Sequence, residues 1–168
     1  SIDAGAKNIL IQLEEGGKKK IEVSDDGSGM SEEDAILAFQ RHATSKIYKD
    51  DDLFFIDTLG FRGEALPSIA SVSRCELKTS DGVVGTHVVI EGGKKILVEK
   101  SDARKGTSLK ITNLFYNTPA RLKYLRSEQA ELASCVSFVE RLALSHPEIA
   151  FTLHHDNRLV VKTSGSND

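Results

Sequence analysis

Apolar and polar positions divide the chain into short elements. Lys7 to Leu13 is a brief apolar run of strand length, and Lys20 to Asp25 alternates as a half-buried strand does. Glu15-Gly16-Gly17-Lys18 between them predicts a turn, so the two make a hairpin. Asp26-Gly27-Ser28-Gly29 breaks the second strand. Ser31-Glu32-Glu33-Asp34 marks a helix start, with a serine able to accept a free N–H and acids in the positive first turn. Ala35, Ile36, Phe39 and Ala43 carry an apolar stripe onward at helical spacing.

Thr44 to Gly60 reads as a loop with one helical turn around Asp51 to Ile56. Gly60-Phe61-Arg62-Gly63 then opens a helix over Glu64 to Ser71. Strands are predicted at Ser73 to Thr79, Gly85 to Glu91, Lys95 to Glu99 and Gly106 to Thr112. Pro119 begins a short helix. Ser127 to Leu144 is a long amphipathic helix with Leu132, Val136, Val139 and Ala143 on one face, stopped by His146-Pro147. Ile149 to His155 and Arg158 to Lys162 close the chain as a hairpin around Asp156-Asn157. Strand and helix do not alternate strictly. This predicts an α+β fold, a two-layer α/β sandwich with a mixed β-sheet and helices on one face, over a doubly wound parallel fold. One domain over 1–162 is expected, followed by a small polar linker or tail at 163–168.

Composition narrows the classes. At 168 residues the chain suits one domain that buries its core without staples. No window approaches the 18 apolar residues of a membrane span, and the first residues lack the basic start of a signal peptide. Cys75 and Cys135 match no zinc spacing and no disulfide framework, which points to a reducing compartment, cytoplasmic or nuclear. A net charge of -3 argues against a basic glove for nucleic acid over the whole domain, and leaves local basic patches open.

Four segments carry candidate chemistry. Asp25-Asp26-Gly27-Ser28-Gly29-Met30 places a carboxylate at a strand end. It can accept a hydrogen bond from an exocyclic amine, while the glycines let a flat ring approach the backbone; a plain Asp-Gly turn has the same appearance. Gly60-Phe61-Arg62-Gly63 offers N–H groups and a positive helix end to a phosphate, though a bare loop-to-helix turn also uses glycine. Arg41-His42-Ala43-Thr44-Ser45-Lys46 supplies hydroxyls and a cation that suit a lid over phosphates, or a polar helix end. Thr107, entering a strand, could support Asp25 or be an ordinary β-branched strand residue. Neither the P-loop nor the Gly-x-Gly-x-x-Gly cradle occurs.

In this order the segments resemble the nucleotide-site motifs of the superfamily of gyrases, heat-shock chaperones, histidine kinases and MutL proteins (GHKL, with the Bergerat ATP-binding fold). Ser1-Ile2-Asp3-Ala4 is similar to the end of its first motif, Asp25, Gly27 and Gly29 to the second, the stretch from Gly60 to the third, and Gly106-Thr107 to the fourth. Arg41 to Lys46, Gly60-Phe61-Arg62-Gly63-Glu64-Ala65-Leu66 and Asn113-Leu114-Phe115-Tyr116-Asn117-Thr118-Pro119-Ala120-Arg121 resemble signatures of the MutL-type DNA mismatch repair branch. The likeness runs from Ser1 to about Lys162.

The resemblance implies an ATP-binding domain. Asp25 would bind the adenine amine, helped by Thr107, with Ala4 and Met30 near the ring. Gly27 and Gly29 would admit the nucleotide. Thr44, Ser45 and Lys46 would belong to the lid, and Gly60, Phe61, Arg62 and Gly63 would meet the phosphates. The general-base Glu and the Asn ligand of Mg2+ are expected upstream of Ser1, so residues 1–168 alone are expected to hydrolyse ATP weakly or not at all. In the whole protein, ATP would drive clamp-like dimerisation, as homodimer or heterodimer, with a MutS-type mismatch recognition protein and DNA as partners and no membrane. The alternatives are a non-enzymatic nucleotide- or DNA-binding module, with Arg121 to Arg126 as a basic contact, and a topoisomerase or chaperone branch.

Overall fold

The structure is a computed structural model that describes residues 1–40 and 65–165. Its framework is an eight-stranded sheet: β1 (Asn8–Glu14), β2 (Lys20–Asp25), β3 (Arg74–Ser80), β4 (Gly85–Glu91), β5 (Lys94–Ser101), β6 (Gly106–Thr112), β7 (Ala150–His155) and β8 (Arg158–Lys162). Across the sheet the order is β5-β4-β3-β6-β2-β1-β7-β8. β1 and β7 run parallel, and every other neighbouring pair is antiparallel. The helices are α1 (Glu32–Leu37), α2 (Ala65–Ser71), α3 (Pro119–Lys123) and α4 (Glu128–Ser145). This is the mixed-sheet α+β architecture that the pattern predicts. No helix among the described residues is long and apolar enough to cross a membrane.

Register explains the layering. Successive strand residues point to opposite faces, so partners in register share a face. Val23, Leu109, Leu77 and Val88 stand opposite one another on β2, β6, β3 and β4. Ile21, Ile111, Cys75 and Ile90 form the next row on that face. Ala35 of α1 and Ala70 of α2 pack on these rows, and all but the partly buried Ile21, Val23 and Leu109 lie in the core. A second cluster, Ile9, Phe151, Ala6 and Ile149, lies under Val139 of α4. The other face is polar. Glu76 sits there between Lys110 at 3.0 Å and Arg74 at 3.9 Å, and the Lys110 hydrogen bond holds its carboxyl below the ordinary value.

The caps fall where the sequence places them. Ser31 Oγ accepts the Asp34 N–H at 3.2 Å, and Ser127 Oγ accepts the Ala130 N–H at 3.2 Å. Pro119 is in the first turn of α3. Asp156 and Asn157 both have positive φ, as a two-residue hairpin turn requires. Arg126, just before the Ser127 cap of α4, is tied to Glu131 at 2.7 Å and Ser134 at 2.6 Å, which draws that cation of the basic segment onto the helix.

Two elements differ from the pattern by more than a single residue at an end. α1 ends at Leu37, because Phe39 and Gln40 bond three residues back, to Ile36 and Leu37, and tighten the last turn. Ala43 lies outside the described residues. β5 runs to Ser101 rather than Glu99, since it pairs with β4 back to Gly85 and a bulge at Val89/Ile90 absorbs the slip. As an edge strand, β5 takes its length from backbone pairing and shows little side-chain alternation. Cys75 and Cys135 are free, and burial pushes both thiols up.

Phe151 is buried in the second cluster, where it joins β7 to α4. Phe151→Ala is expected to lower stability by about 3–5 kcal/mol, measured as a shift of the urea unfolding midpoint.

Candidate functional site

The site grows from the end of one row of the sheet. Asp25 closes β2, opposite Thr107 of β6, which is opposite Thr79 of β3, which is opposite Thr86 of β4. By alternation from Val23, Leu109, Leu77 and Val88, all four point to the helix-covered face. The Asp25 side chain is 2% exposed. Its Oδ1 accepts the Gly27 N–H at 2.8 Å and its Oδ2 accepts the Ser1 hydroxyl at 2.6 Å. A buried carboxylate is stable only when its lone pairs are used, and each oxygen here has capacity for a further donor.

The turn after Asp25 is held by close approach. A side chain at Gly27 would place its Cβ 2.8 Å from the Ala4 Cβ, and Ser28 donates to the Ala4 carbonyl at 2.9 Å. Gly29 has φ +71°, and a Cβ there would overlap the Ser80 carbonyl oxygen. Met30 donates its N–H to Thr79 Oγ1 at 3.0 Å, and its side chain packs on the core under α1 and α2. The Thr79 and Thr107 hydroxyls are 2.8 Å apart.

Of the thirteen site residues expected from the sequence, the structure gathers Ala4, Asp25, Gly27, Gly29, Met30 and Thr107 at one end of the sheet. Thr44, Ser45, Lys46, Gly60, Phe61, Arg62 and Gly63 lie outside the described residues. Two contributors are absent from the sequence reading. Thr79 joins Met30 to Thr107, and nothing in its own strand segment marks it. Asp26 accepts the Lys7 N–H at 2.8 Å, the Asn8 N–H at 2.9 Å and the Asn8 side-chain amide at 2.8 Å. The Asn8 side-chain bond, with the two backbone bonds, holds its carboxyl below the ordinary value. The two neighbouring aspartates therefore divide their work: Asp26 fastens the start of β1, and Asp25 faces the covered side.

A cavity of about 570 Å³ adjoins the same strand ends. Its lining includes Asp25 and Thr107, yet Leu10, Ser24, Ser108 and Thr152 belong to the row that alternates away from the helices. It opens on the bare face of the sheet, so the Asp25 carboxylate points away from it.

Residues 1–82 match the family described as histidine kinase-, DNA gyrase B- and HSP90-like ATPase. The whole chain is 54% identical to the DNA mismatch repair protein MutL of Bacillus cytotoxicus, covering 26% of that protein, and to that of Bacillus anthracis, covering 27%. Over its whole length the chain is thus similar to MutL proteins. It spans about a quarter of the length of these MutL relatives. The Aquifex aeolicus MutL ATPase domain complexed with ADP superposes with a TM-score of 0.77 at 26% identity, over 99% of this chain and 60% of that one. The N-terminal domain of a DNA repair protein superposes at 0.80 and 28% identity, over 99% of this chain and 51% of that one. The mixed sheet with one covered face is thus the GHKL ATPase fold of MutL proteins.

The geometry predicts two outcomes. Gly29→Ala is expected to displace the turn from Ser80 and weaken amide protection at Ser28 to Met30, read by hydrogen exchange; unchanged protection would contradict the packing. For Asp26 the sign follows from its depressed folded value. Its contribution is present above the unfolded value of about 3.9 and is lost as pH falls through the folded one. Asp26→Asn is therefore expected to flatten the acid limb of the stability curve below about pH 4, followed by thermal melts across pH.

Proposed function

We propose that this chain is the adenine-nucleotide core of a MutL-type mismatch repair protein. The observation that carries the reading is the Asp25 carboxylate: buried on the covered face, beside the Thr107 hydroxyl, with its protein donors limited among the described residues to one N–H and one hydroxyl. A carboxylate so placed accepts a hydrogen bond from an exocyclic amine of a base. Ala4 and Met30 flank the turn where the ring would lie, and Gly27 and Gly29 keep it free of side chains. The phosphates would go to the N–H groups from Gly60 to Gly63 ahead of α2, under a lid that includes Thr44, Ser45 and Lys46.

In the whole protein ATP binding and hydrolysis would bring two N-terminal regions together as a clamp, in a homodimer or heterodimer, and couple mismatch recognition by a MutS-type protein to repair of DNA. Similarity to MutL proteins over the whole chain supports this part of the reading, as does the fold shared with MutL ATPase domains. Mg2+ would neutralise phosphate charge. The described residues contain no group of three His, Cys, Asp or Glu side chains able to hold a metal. A cytoplasmic place in a bacterial cell accompanies this reading.

The test is Asp25→Asn. The amide keeps one acceptor and turns a donor toward the amine. ATP affinity measured by titration calorimetry is expected to fall at least about ten-fold while the melting temperature stays close to that of the parent. Unchanged affinity would remove the assigned role.

A further inference from the structure

We propose that Thr79 is a positioning residue that sets which way the Thr107 hydroxyl points, and thereby makes the site select a base whose amine stands next to an unprotonated ring nitrogen. The inference rests on the adenine-nucleotide reading above.

The placing of one hydrogen decides the matter. A threonine hydroxyl has one hydrogen to donate and two lone pairs to accept with. Thr79 is 2% exposed, so its partners are protein groups. One lone pair takes the Met30 N–H at 3.0 Å. Two oxygens compete for the hydrogen: Thr107 Oγ1 at 2.8 Å and the Gly106 carbonyl at 3.3 Å. The first is at the usual O–H···O length and the second is beyond it. Either hydroxyl can donate across the 2.8 Å contact; in the proposed arrangement the Thr79 hydrogen goes to Thr107, along the shorter of its two bonds.

Thr107 in turn has one lone pair occupied from the β3 side, and its own hydrogen is turned away from Thr79. The neighbour on the other side in the row is Asp25. The edge of the site thus presents an acceptor-only carboxylate beside a hydroxyl donor. An aminopurine offers the matching order, an amine next to a bare ring nitrogen. An oxopurine offers the reverse, a carbonyl oxygen next to a ring N–H, and would set oxygen against carboxylate. With the hydroxyl of Thr79 removed, the Thr107 hydroxyl is free to rotate and the Met30 N–H loses its acceptor, so both the selectivity and the seat of the turn weaken.

The test compares Thr79→Val, which keeps the side-chain shape, with Thr79→Ser, which keeps the hydroxyl. ATP and GTP affinities are measured by titration, alongside hydrogen exchange at the Met30 amide. In the unaltered chain the Met30 amide is expected to be protected; free exchange there would overturn the proposal without any variant. Thr79→Val is expected to lose about ten-fold in ATP affinity, to narrow the preference for ATP over GTP, and to deprotect Met30, with Thr79→Ser restoring all three. If Thr79→Val keeps both affinity and preference, or Thr79→Ser fails to rescue, the hydroxyl is not the positioning element. Asp25→Asn separates the two levels. Loss of binding there with Thr79→Val unaffected sinks this inference alone, whereas retained binding in Asp25→Asn sinks the adenine reading beneath it.

Discussion

The register of β2 against β6 is the constraint on which the site depends. It sets Asp25 opposite Thr107, and the register of β6 against β3 sets Thr107 opposite Thr79. Side chains alternate across a strand, so a slip of one residue would bring Ser24 or Ser108 to the covered face and turn the carboxylate to the bare one. Several contacts guard against such a slip. Asp26 fixes the first residues of β1, and Gly29 lies flush on the end of β3. The buried rows of Leu77, Val88, Cys75 and Ile90 would also have to leave the core.

The two faces of the sheet follow from the same alternation. The covered face buries two apolar clusters, one under α1 and α2 and one under α4. The bare face carries Glu76 with Lys110, Arg74 and His87, pairs close to water whose individual worth is small. Stability therefore comes from the covered side, and the proposed base contact lies there too, because burial strengthens the Asp25 carboxylate as an acceptor. The hydroxyls of Thr79 and Thr107 extend that polar edge into the core without leaving it unsatisfied.

This economy suits the MutL family. In the proposed reading a carboxylate on a rigid strand end would read the base, and the segments attributed to the phosphates lie between α1 and α2 in the sequence. On that reading base recognition would be built into the sheet, while the parts that would respond to the phosphate tail are separate in the chain. A nucleotide can then be held by one region and sensed by another, which is the arrangement a nucleotide-driven switch requires.

Much of this was legible in the chain itself. Ser31 and Ser127 cap helices because a hydroxyl before a run of acids and apolar residues has few other local uses. Asp25, Gly27 and Gly29 announce a turn with a carboxylate at its head. Local spacing carries such features, since the interacting groups are a few residues apart. Thr79 and Asp26 were not legible, nor was the length of β5. Thr79 meets Thr107 across 28 residues of sequence and Asp26 meets Asn8 across 18, while β5 takes its ends from β4. Motif order and alternation determined the strands and most of the described helices, and the resemblance to MutL-type proteins. Only the tertiary pairing decided which hydroxyl meets which, because strand register is a property of two segments together and neither one holds it alone.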